Sequence, residues 1–392
     1  MTQPIASTPN IAIACGGTGG HLFPGLAVAR QLIRRGCEVT LLISPKEVDQ
    51  QAVKSATGMK VVTLPAVALQ HGSRLAFFRS FWHSYQAARK LFKSHPPQAV
   101  LAMGGFTSAP PVLAARSVRA HRFLHESNAI PGRANRLLAR FVEQAFIGFP
   151  RARSRLAAPH VEVTGTPVRP EFQPRDPAAC RVRLGLDPER PVMLVMGGSQ
   201  GATGINEMVL SVLPLIVQKN VSWQWFHLAG PRDAGRILHV YEQCGLKAVV
   251  HPFFSEMELA LGAATACISR AGASSLAELA AMCLPTLLVP YPSAADDHQL
   301  YNARAFEKTG AAQVIEQKNA TPPVVAEALT GLMENKILRD RMQTALGRWH
   351  TPRAAERIAE IIMESVSEHT SPAARDAAAR AGGGEVNLRA LA

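Results

Sequence analysis

No apolar stretch of this 392-residue sequence reaches the ~18 residues that a helix needs to cross a bilayer. The first 30 residues also lack the charged leader, apolar segment and small-residue cleavage site of an export signal. The six cysteines are scattered, without a Cys-x-x-Cys pair. We therefore expect a cytoplasmic protein with reduced thiols, and neither a membrane-spanning helix nor a structural zinc site.

Negative charge is scarce in the first half of the chain. Residues 1–170 contain 21 Lys and Arg but 6 Asp and Glu, a net charge of +15, whereas residues 171–392 contain 21 and 23, a net charge of −2. This asymmetry favours an anionic partner for the first half, whether nucleic acid, an acidic membrane surface or a phosphorylated substrate. A surface charge that serves solubility alone is the alternative. Hydrophobic residues at 47% and charged residues at 18% exclude overall disorder.

Short continuous apolar runs alternate with helical patterns, which is typical of buried parallel strands joined by helices. The runs of the first half are 11–14, 39–43, 61–64, 99–102, 123–125 and 145–148. The runs of the second half are 192–196, 225–228, 248–250, 266–268, 286–289 and 313–315. The pattern predicts an α/β protein with two Rossmann-like, doubly wound domains that face an interdomain cleft.

The boundary between the predicted domains is Gly-Thr-Pro-Val-Arg-Pro at 165–170, where two prolines interrupt regular structure. We predict an N-terminal domain over 1–166, a C-terminal domain over 167–350 and a terminal amphipathic helix over 351–369. Residues 370–392 are rich in Ala, Arg and Gly, and we expect them to form a disordered tail.

Three glycine-rich segments follow apolar runs and precede helical patterns. They are Gly-Gly-Thr-Gly-Gly-His at 16–21, Met-Gly-Gly-Phe-Thr-Ser at 103–108 and Gly-Gly-Ser-Gln-Gly-Ala at 197–202. Glycine lets the backbone approach a ligand, and the first turn of a helix attracts phosphate. A single turn of this kind could serve tight packing alone. Three of them, in both halves, favour a phosphate-bearing ligand in the cleft.

Two common nucleotide-binding motifs are missing from these segments. The first segment has Leu22 where a dinucleotide fingerprint has its third glycine, and the second apolar run ends at 44–46 without a ribose-binding acid. The chain also lacks the Gly-Lys-Ser/Thr ending of a P-loop. These absences argue against NAD-binding and P-loop proteins.

The glycine segments and four others together resemble the MurG family of peptidoglycan glycosyltransferases. The others are His-Glu-Ser-Asn at 125–128, Gly-Thr-Pro-Val-Arg at 165–169, Ser-Arg-Ala-Gly-Ala-Ser-Ser-Leu-Ala-Glu at 269–278 and Asp-Asp-His-Gln-Leu-Tyr-Asn-Ala at 296–303. The resemblance implies a GT-B fold and inverting transfer of N-acetylglucosamine from UDP-N-acetylglucosamine. The implied acceptor is the muramyl 4-hydroxyl of undecaprenyl-pyrophosphoryl-muramyl-pentapeptide (lipid I), and the products are lipid II and UDP.

The resemblance also implies where such a protein acts and what it needs. It implies a peripheral protein on the cytoplasmic face of the bacterial inner membrane, which binds an anionic membrane surface and other cell-wall synthesis proteins, and no nucleic acid. We expect no cofactor and no metal, because the chain has no Asp-x-Asp motif. Helix N-termini, backbone amides and cationic side chains would then stabilise the departing diphosphate.

Residues of both halves are implied to bind the donor. They are Thr18, Gly19, Gly20, Asn128, Arg169, Ser199, Phe254, Gln299 and the segment Ala273, Ser274, Ser275, Leu276, Ala277 and Glu278. In the family the acid that matches Glu278 holds the ribose hydroxyls. Ser275 to Glu278 also matches a capping box, in which Glu278 would bond the backbone at a helix start. We favour the ribose role, with which capping is compatible.

His21 and Glu126 are the candidates for the base that accepts the proton of the acceptor hydroxyl. A histidine with a pKa near ~6.5 can accept this proton at neutral pH, whereas Glu126 would need a raised pKa. His21 could instead bind the acceptor pyrophosphate as a hydrogen-bond donor. Residues 125–128 do not form a zinc motif, because the second histidine of His-Glu-x-x-His is missing.

The segment 74–93 is predicted to be a helix that meets the membrane. Its apolar residues cover an arc of roughly 200°, wider than the ~100° that packing against one core requires. We expect aromatic surface on this helix to remain exposed among basic residues and to bind the membrane, through Phe77, Phe78, Phe81 and Trp82. The acceptor side of the site is expected to lie nearby, at Gly104, Gly105 and Phe106. A helix buried on both sides is the alternative.

Two other function classes compete with this interpretation. One is a different GT-B enzyme, such as a UDP-N-acetylglucosamine 2-epimerase or a glycolipid synthase with a diacylglycerol acceptor. The other is a non-catalytic UDP-sugar-binding scaffold. A protein without catalysis would be free to lose the residues implied in the site, and this argues against the scaffold, because the chain keeps His21, Arg169, Glu278 and Gln299.

Overall fold

Two parallel β-sheets form the framework of the molecule, whose computed structural model describes residues 8–17, 19–46, 49–50, 58–65, 74–198, 202–217 and 221–370. The first sheet has seven strands in the order β3-β2-β1-β4-β5-β6-β7. They are β1 (Asn10–Ala14), β2 (Glu38–Ile43), β3 (Lys60–Thr63), β4 (Ala99–Ala102), β5 (His121–Glu126), β6 (Gln144–Ile147) and β7 (His160–Val163).

The second sheet has six strands in the order β10-β9-β8-β11-β12-β13. They are β8 (Val192–Met196), β9 (Gln224–Leu228), β10 (Ala248–His251), β11 (Ala266–Ser269), β12 (Thr286–Leu288) and β13 (Gln313–Val314). Every described strand pair in both sheets is parallel. The predicted pair of doubly wound α/β domains is therefore confirmed.

Helices cover both faces of each sheet. The first domain has α1 (Gly19–Arg34), α2 (Arg74–Ser94), α3 (Ala109–Ala115) and α4 (Arg133–Leu138). The helices that follow are α5 (Pro177–Arg183), α6 (Thr203–Ile216), α7 (Ala234–Gln243), α8 (Met257–Ala263), α9 (Ala273–Ala281), α10 (His298–Lys308), α11 (Pro322–Glu334), α12 (Lys336–Gly347) and α13 (Ala354–Thr370). Strands such as β4 and β8 are buried along their whole length, which explains their continuous apolar sequences.

One strand of the first sheet has no continuous apolar run in the sequence. β7 reads His-Val-Glu-Val and pairs with β6 alone at the edge of the sheet. An edge strand is covered by neighbours on fewer sides, so polar residues interrupt its apolar ones. Val163 at its end is 41% exposed.

The last helix returns to the first domain. α13 packs against α1 and places Ile358 and Ile362 in the core beneath the first sheet. The helix begins at Ala354 and not at 351: Pro352 disfavours helical geometry at Thr351, and residues 352–353 form a turn. The chain therefore crosses between the domains at 164–170 and again near 350–353. The predicted tail lies outside the described residues from 371 onward.

Candidate active site

The first glycine turn, after β1, is held tightly on three sides. A side chain at Gly16 would come within 2.3 Å of the Ser44 backbone nitrogen, so the turn packs directly on the end of β2. Thr107 Oγ1 donates to the Gly16 carbonyl at 2.6 Å. Gly17 has a φ of +115° and donates its N–H to Asp49 Oδ2 at 2.7 Å. The turn leads into α1 at Gly19, while Thr18 lies outside the described residues.

His21 occupies the first turn of α1, against the second glycine turn. A Cβ at Gly104 would lie 3.0 Å from His21 Nε2, and one at Gly105 would lie 3.3 Å from Cε1. Both glycines have positive φ values, of 117° and 78°. Burial lowers the pKa of His21 to about 4, although the negative charge of Asp49 opposes this effect. His21 is therefore neutral at pH 7, but the expected pKa near 6.5 is wrong, because burial makes the ring a weaker base than a free imidazole.

Glu126 ends β5 and organises the loop that follows. Its Oε1 accepts hydrogen bonds from the backbone and side-chain amides of Asn128, at 2.8 and 3.0 Å. Its Oε2 accepts from the Gly132 N–H at 3.0 Å and from Asn135 Nδ2 at 2.8 Å. Burial raises the pKa of this carboxyl, against these four donors. Four donors occupy both oxygens of Glu126, so taking up a proton would cost this carboxylate a hydrogen bond.

Two buried asparagines connect this loop to the rest of the site. Asn302 on α10 is fully buried and bridges the domains: its Oδ1 accepts from the Ala129 N–H at 2.8 Å. Its Nδ2 donates to Asn128 Oδ1 at 3.0 Å and to the Ala271 carbonyl at 3.1 Å. Asn135 links Glu126 to the space beside His21. Sequence reasoning did not single out either residue, although Asn302 stands in the segment 296–303 that carried the resemblance.

The interdomain segment positions Arg169 beside the second domain. His125 Nε2 contacts the Gly165 carbonyl at 3.0 Å, which fixes the start of the segment. The guanidinium of Arg169 lies between the rings of Phe23 and Phe172, 4.3 and 4.8 Å from their centroids. Stacking of this kind favours a fixed guanidinium orientation. Arg169 Nη2 lies 3.7 Å from Glu278 Oε1.

Glu278 lies in the second turn of α9. The helix begins at Ala273 with Gly272 as its N-cap, and no side chain caps it. The capping-box alternative for Ser275 and Glu278 is therefore wrong, because Ser275 is already inside the helix. Burial raises the pKa of Glu278 to about 7, while the charge of Arg169 opposes this shift.

The start of α9 touches the start of α1. Ser274 Oγ donates to the Gly20 carbonyl at 2.9 Å, one residue before His21. Ala273 and Leu276 are buried in the core of the second domain, whereas Ser275 and Ala277 are half-buried. The predicted donor segment thus lies at the interface with the first domain.

Gln299 and Phe254 follow other strands of the second sheet. Gln299 Oε1 accepts from the Ala271 and Tyr291 N–H groups at 3.2 and 3.0 Å. Its side-chain nitrogen has no hydrogen-bond partner among the described residues. Phe254 packs edge-to-face on Phe226, 5.2 Å between centroids, and is half-buried. Both side chains remain candidates for donor contacts.

The third glycine turn joins β8 to α6. Gly198 has a φ of +108°, and α6 begins at Thr203; Ser199 lies outside the described residues. Gln317 packs on Gly204 in the first turn of α6, and it accepts a hydrogen bond from Arg270 Nη2 at 2.9 Å. The positive charge of Arg270 therefore lies near the start of α6. Within the described residues Arg270 has no carboxylate partner. Asp233 adds a negative charge at the start of α6, where its Oδ2 accepts from Thr203 Oγ1 at 3.3 Å and from Asn206 Nδ2 at 2.8 Å.

Aromatic side chains of α2 continue the site toward the protein surface. Phe77 packs edge-to-face on Phe106, 5.8 Å between centroids, and Phe81 lies beside Phe77 at 6.2 Å. Phe77 and Phe81 are half-buried. Three neighbours on the outer side of the helix form what we call the apolar patch, with exposures of 80% for Leu75, 65% for Phe78 and 57% for Trp82.

Basic residues share the outer side of α2 with the apolar patch. Arg79, Lys90 and Lys93 are exposed and form no ion pair in the described part of the chain. No acid is close in sequence, since residues 51–125 contain neither Asp nor Glu. The expectation that aromatic surface stays exposed on this helix is confirmed, and the alternative of a helix buried on both sides is wrong.

Two facing doubly wound domains, with glycine turns at the carboxyl ends of their strands and a half-buried acid–arginine pair between them, define a GT-B glycosyltransferase. Family models agree: residues 11–147 match the glycosyltransferase family 28 N-terminal domain, and residues 192–362 match its C-terminal domain. The chain belongs to the MurG family within glycosyltransferase family 28.

Relatives across several bacteria support this assignment. A protein of Anaeromyxobacter sp. (strain Fw109-5), named UDP-N-acetylglucosamine--N-acetylmuramyl-(pentapeptide) pyrophosphoryl-undecaprenol N-acetylglucosamine transferase, is 35% identical over 93% of this chain and 96% of its own length. The protein of the same name from Citrifermentans bemidjiense is 37% identical over 83% and 91%. The crystal structure of Acinetobacter baumannii MurG has a TM-score of 0.71 and 28% identity, covering 91% of this chain and 99% of that one.

Structures of other GT-B proteins share the fold alone. A UDP-N-acetylglucosamine 2-epimerase from Listeria monocytogenes has a TM-score of 0.67 but 15% identity, covering 93% of this chain and 98% of that one. Among the described helices, none has the length and apolar character to span a bilayer. In the same residues, no group of three His, Cys, Asp or Glu side chains is arranged to hold a metal ion.

Proposed function

We propose that this chain transfers N-acetylglucosamine from UDP-N-acetylglucosamine to lipid I, which gives lipid II and UDP in peptidoglycan synthesis. The activity serves cell-wall biogenesis, and through it cell shape and division. The observation that carries the proposal is the contact between Ser274 and Gly20. This contact brings the helix that carries Glu278 next to the helix that carries His21. The candidate donor-binding residues and the candidate base therefore lie together between the two domains.

The transfer is a single displacement at the anomeric carbon of the donor sugar. The 4-hydroxyl oxygen of the muramyl residue attacks this carbon from the face opposite UDP, and His21 accepts the hydroxyl proton. The bond from the anomeric carbon to the β-phosphate oxygen breaks, and its electron pair leaves with UDP. Neutral imidazole at position 21 suits this role, because the base must be unprotonated before attack.

The second domain supplies the groups for the donor nucleotide. Glu278 accepts hydrogen bonds from the ribose hydroxyls, and Arg169 beside it faces the negatively charged nucleotide. The start of α6 offers backbone N–H groups to the diphosphate, with the charge of Arg270 behind them. The side-chain oxygen of Gln299 accepts hydrogen bonds from two backbone amides, and its side-chain nitrogen donates to a hydroxyl of the donor sugar.

Incubation with UDP-N-acetylglucosamine alone separates this function from its competitors. We expect no UDP-N-acetylmannosamine without an acceptor, and release of UDP when a short-chain lipid I analogue is added. Acceptor-independent formation of the mannosamine product would support the epimerase alternative. UDP binding without turnover in either mixture would support a scaffold.

We expect turnover to be independent of divalent metal. Helix N-termini, Arg169 and Arg270 supply the positive potential that a metal would otherwise provide to the departing diphosphate. Initial rates in EDTA should therefore stay within about twofold of the untreated rate, a smaller loss than removing one positioned electrostatic group produces. Activity that EDTA abolishes and magnesium restores would contradict this mechanism.

The apolar patch on α2 is proposed to dock on the cytoplasmic leaflet of the inner membrane. The acceptor's polyprenyl chain remains in the bilayer, so the acceptor side of the site must approach the lipid surface. Phe106 follows Gly104 and Gly105 and packs on α2, which connects the site to the patch. Arg79, Lys90 and Lys93 add attraction to anionic lipid of about 1 kcal/mol each near the surface. Other cell-wall synthesis proteins are proposed to gather at the same membrane.

Substitution of Phe78→Ser together with Trp82→Ser should weaken binding to anionic vesicles by tenfold or more, because both rings are largely exposed. Loss of the two rings removes roughly 3 to 5 kcal/mol of potential burial in lipid. Sedimentation with cardiolipin-containing vesicles measures the effect, and added salt should weaken wild-type binding. Phe77, in contact with Phe106, is unsuitable for this test because its loss would disturb the glycine turn.

Ile337→Ser is the matched control for the vesicle experiment. Ile337 is 65% exposed like Phe78, but it lies on α12 of the second domain. It should leave vesicle binding unchanged, and UDP affinity should be the same in all three proteins. Equal sedimentation of the double variant and wild type would place the membrane surface elsewhere.

A further inference from the structure

Asp49 is a fully buried acid beneath the first glycine turn. Its Oδ2 accepts the Gly17 N–H at 2.7 Å, and also the Ser44 hydroxyl and N–H at 2.5 and 3.3 Å. Asp49 therefore ties the segment after β2 to the turn that leads into α1. Neither the glycine motifs nor the resemblance singled it out.

The other oxygen of Asp49 has no partner among the described residues. Oδ1 is buried and has no hydrogen bond in the described part of the chain, and Asp49 makes no ion pair there. Burying a carboxylate that is not neutralised by a contacting cation is costly. If holding the turn were its whole task, a neutral side chain with one acceptor would do so at lower cost.

The buried carboxylate of Asp49 can stabilise a positive charge that forms at His21. Among the described residues, the groups whose charges act on His21 are Asp49, Lys46, His125 and His298, and Glu126 approaches the same space through Asn135. The charge of Asp49 favours the imidazolium, whereas Lys46 and His298 oppose it. When His21 accepts the acceptor's proton, the nearby carboxylate offsets the new charge.

We propose that Asp49 is a positioning residue that fixes the turn at Gly17 and stabilises the protonated form of His21 during glycosyl transfer. The inference rests on the proposed function, in which His21 is the base. The proton moves from the muramyl 4-hydroxyl to His21 and stays there while the glycosidic bond forms. Asp49 acts through its hydrogen bond to the Gly17 N–H and through its charge across the turn.

Lys46 provides a matched control for this role. It donates from Nζ to the Gly17 carbonyl at 2.9 Å, so Lys46 and Asp49 hold the same glycine from its two polar sides. Removing either contact loosens the same turn, but the two side chains carry opposite charges. A structural effect should therefore have the same sign in both variants, and an electrostatic effect the opposite sign.

The first test measures the protonated fraction of His21 at pH 5 by NMR of the full chain with labelled histidine. Asp49→Asn keeps the shape and one acceptor for Gly17, and it should lower the protonated fraction. Lys46→Gln should raise it. Equal fractions in Asp49→Asn and wild type, or shifts of the same sign in both variants, would overturn the proposal.

The second test is a kinetic double-mutant cycle with UDP-N-acetylglucosamine and a lipid I analogue. Asp49→Asn should lower kcat tenfold or more, and it should cause no further loss in a His21→Ala background. UDP affinity within twofold of wild type checks that the variant folds. An equal loss in both backgrounds would make Asp49 a structural residue of the turn and overturn the proposal.

The two tests separate this inference from the function on which it rests. A wild-type chain without transferase activity would refute the proposed function, whereas the NMR comparison would still report the coupling of Asp49 to His21. An active enzyme whose kcat does not respond to Asp49→Asn would refute the role of Asp49 alone.

Discussion

His21→Ala is expected to lower kcat by about 100-fold or more, because a positioned general base contributes that factor or above it. The neutral imidazole lies against Gly104 and Gly105, at the start of the helix that meets the donor domain. The change corresponds to roughly 2.7 kcal/mol of transition-state stabilisation. Steady-state kinetics with a lipid I analogue at saturating donor measures it.

A comparison of kcat with KM distinguishes the two roles of His21. If His21 binds the acceptor pyrophosphate, the variant should keep its kcat and show a raised acceptor KM. His239→Ala is the control, since His239 is an exposed histidine on α7 of the second domain. It should leave both constants unchanged. A normal kcat in His21→Ala would contradict the assignment of this residue as the base.

Glu278→Ala is expected to weaken UDP binding by roughly 10- to 150-fold, which corresponds to about 1.5 to 3 kcal/mol for hydrogen bonds to a charged group. The helix begins with Gly272 as its cap, so the loss cannot come from a missing helix cap. Isothermal titration calorimetry with UDP measures the change. Acceptor KM should change little, because Glu278 lies on the donor side.

The pH dependence of UDP binding should identify the ionised form of Glu278 as the one that binds. Its pKa is raised to about 7, so the carboxyl is mostly protonated at pH 6 and mostly ionised at pH 8. The carboxylate is the better acceptor for ribose hydroxyls, so wild-type affinity should rise from pH 6 to 8 relative to Glu278→Gln. A constant ratio between the two proteins would contradict the ribose role.

The strands of this fold are predictable because most of them are buried on both faces. A continuous apolar run such as Val192–Met196 follows directly from that burial. β7 could not be predicted in this way, because it is an edge strand and has no continuous apolar run. The capping box at Ser275 is wrong because the position of a helix cap depends on where the helix begins after β11. This helix begins at Ala273, so Ser275 is already inside it.

The site is predictable where its residues lie in short contiguous motifs. His21, Arg169 and Glu278 each stand in such a motif, and the fold brings them to one interdomain face. The hydrogen bonds of Glu126 are harder to predict, since its four donors come from the loop that follows it and from Asn135 on α4. Asn302 acts across 173 residues, a distance over which no local pattern exists.

The anomeric configuration of the product tests the account most directly. The donor carries an α-linked sugar phosphate, and a single displacement with His21 as base must invert that centre. We expect one equivalent of UDP for each disaccharide formed, with a β-1,4 linkage that proton NMR of the isolated product identifies. An α-linked disaccharide, or UDP release that does not depend on the lipid I analogue, would contradict the account.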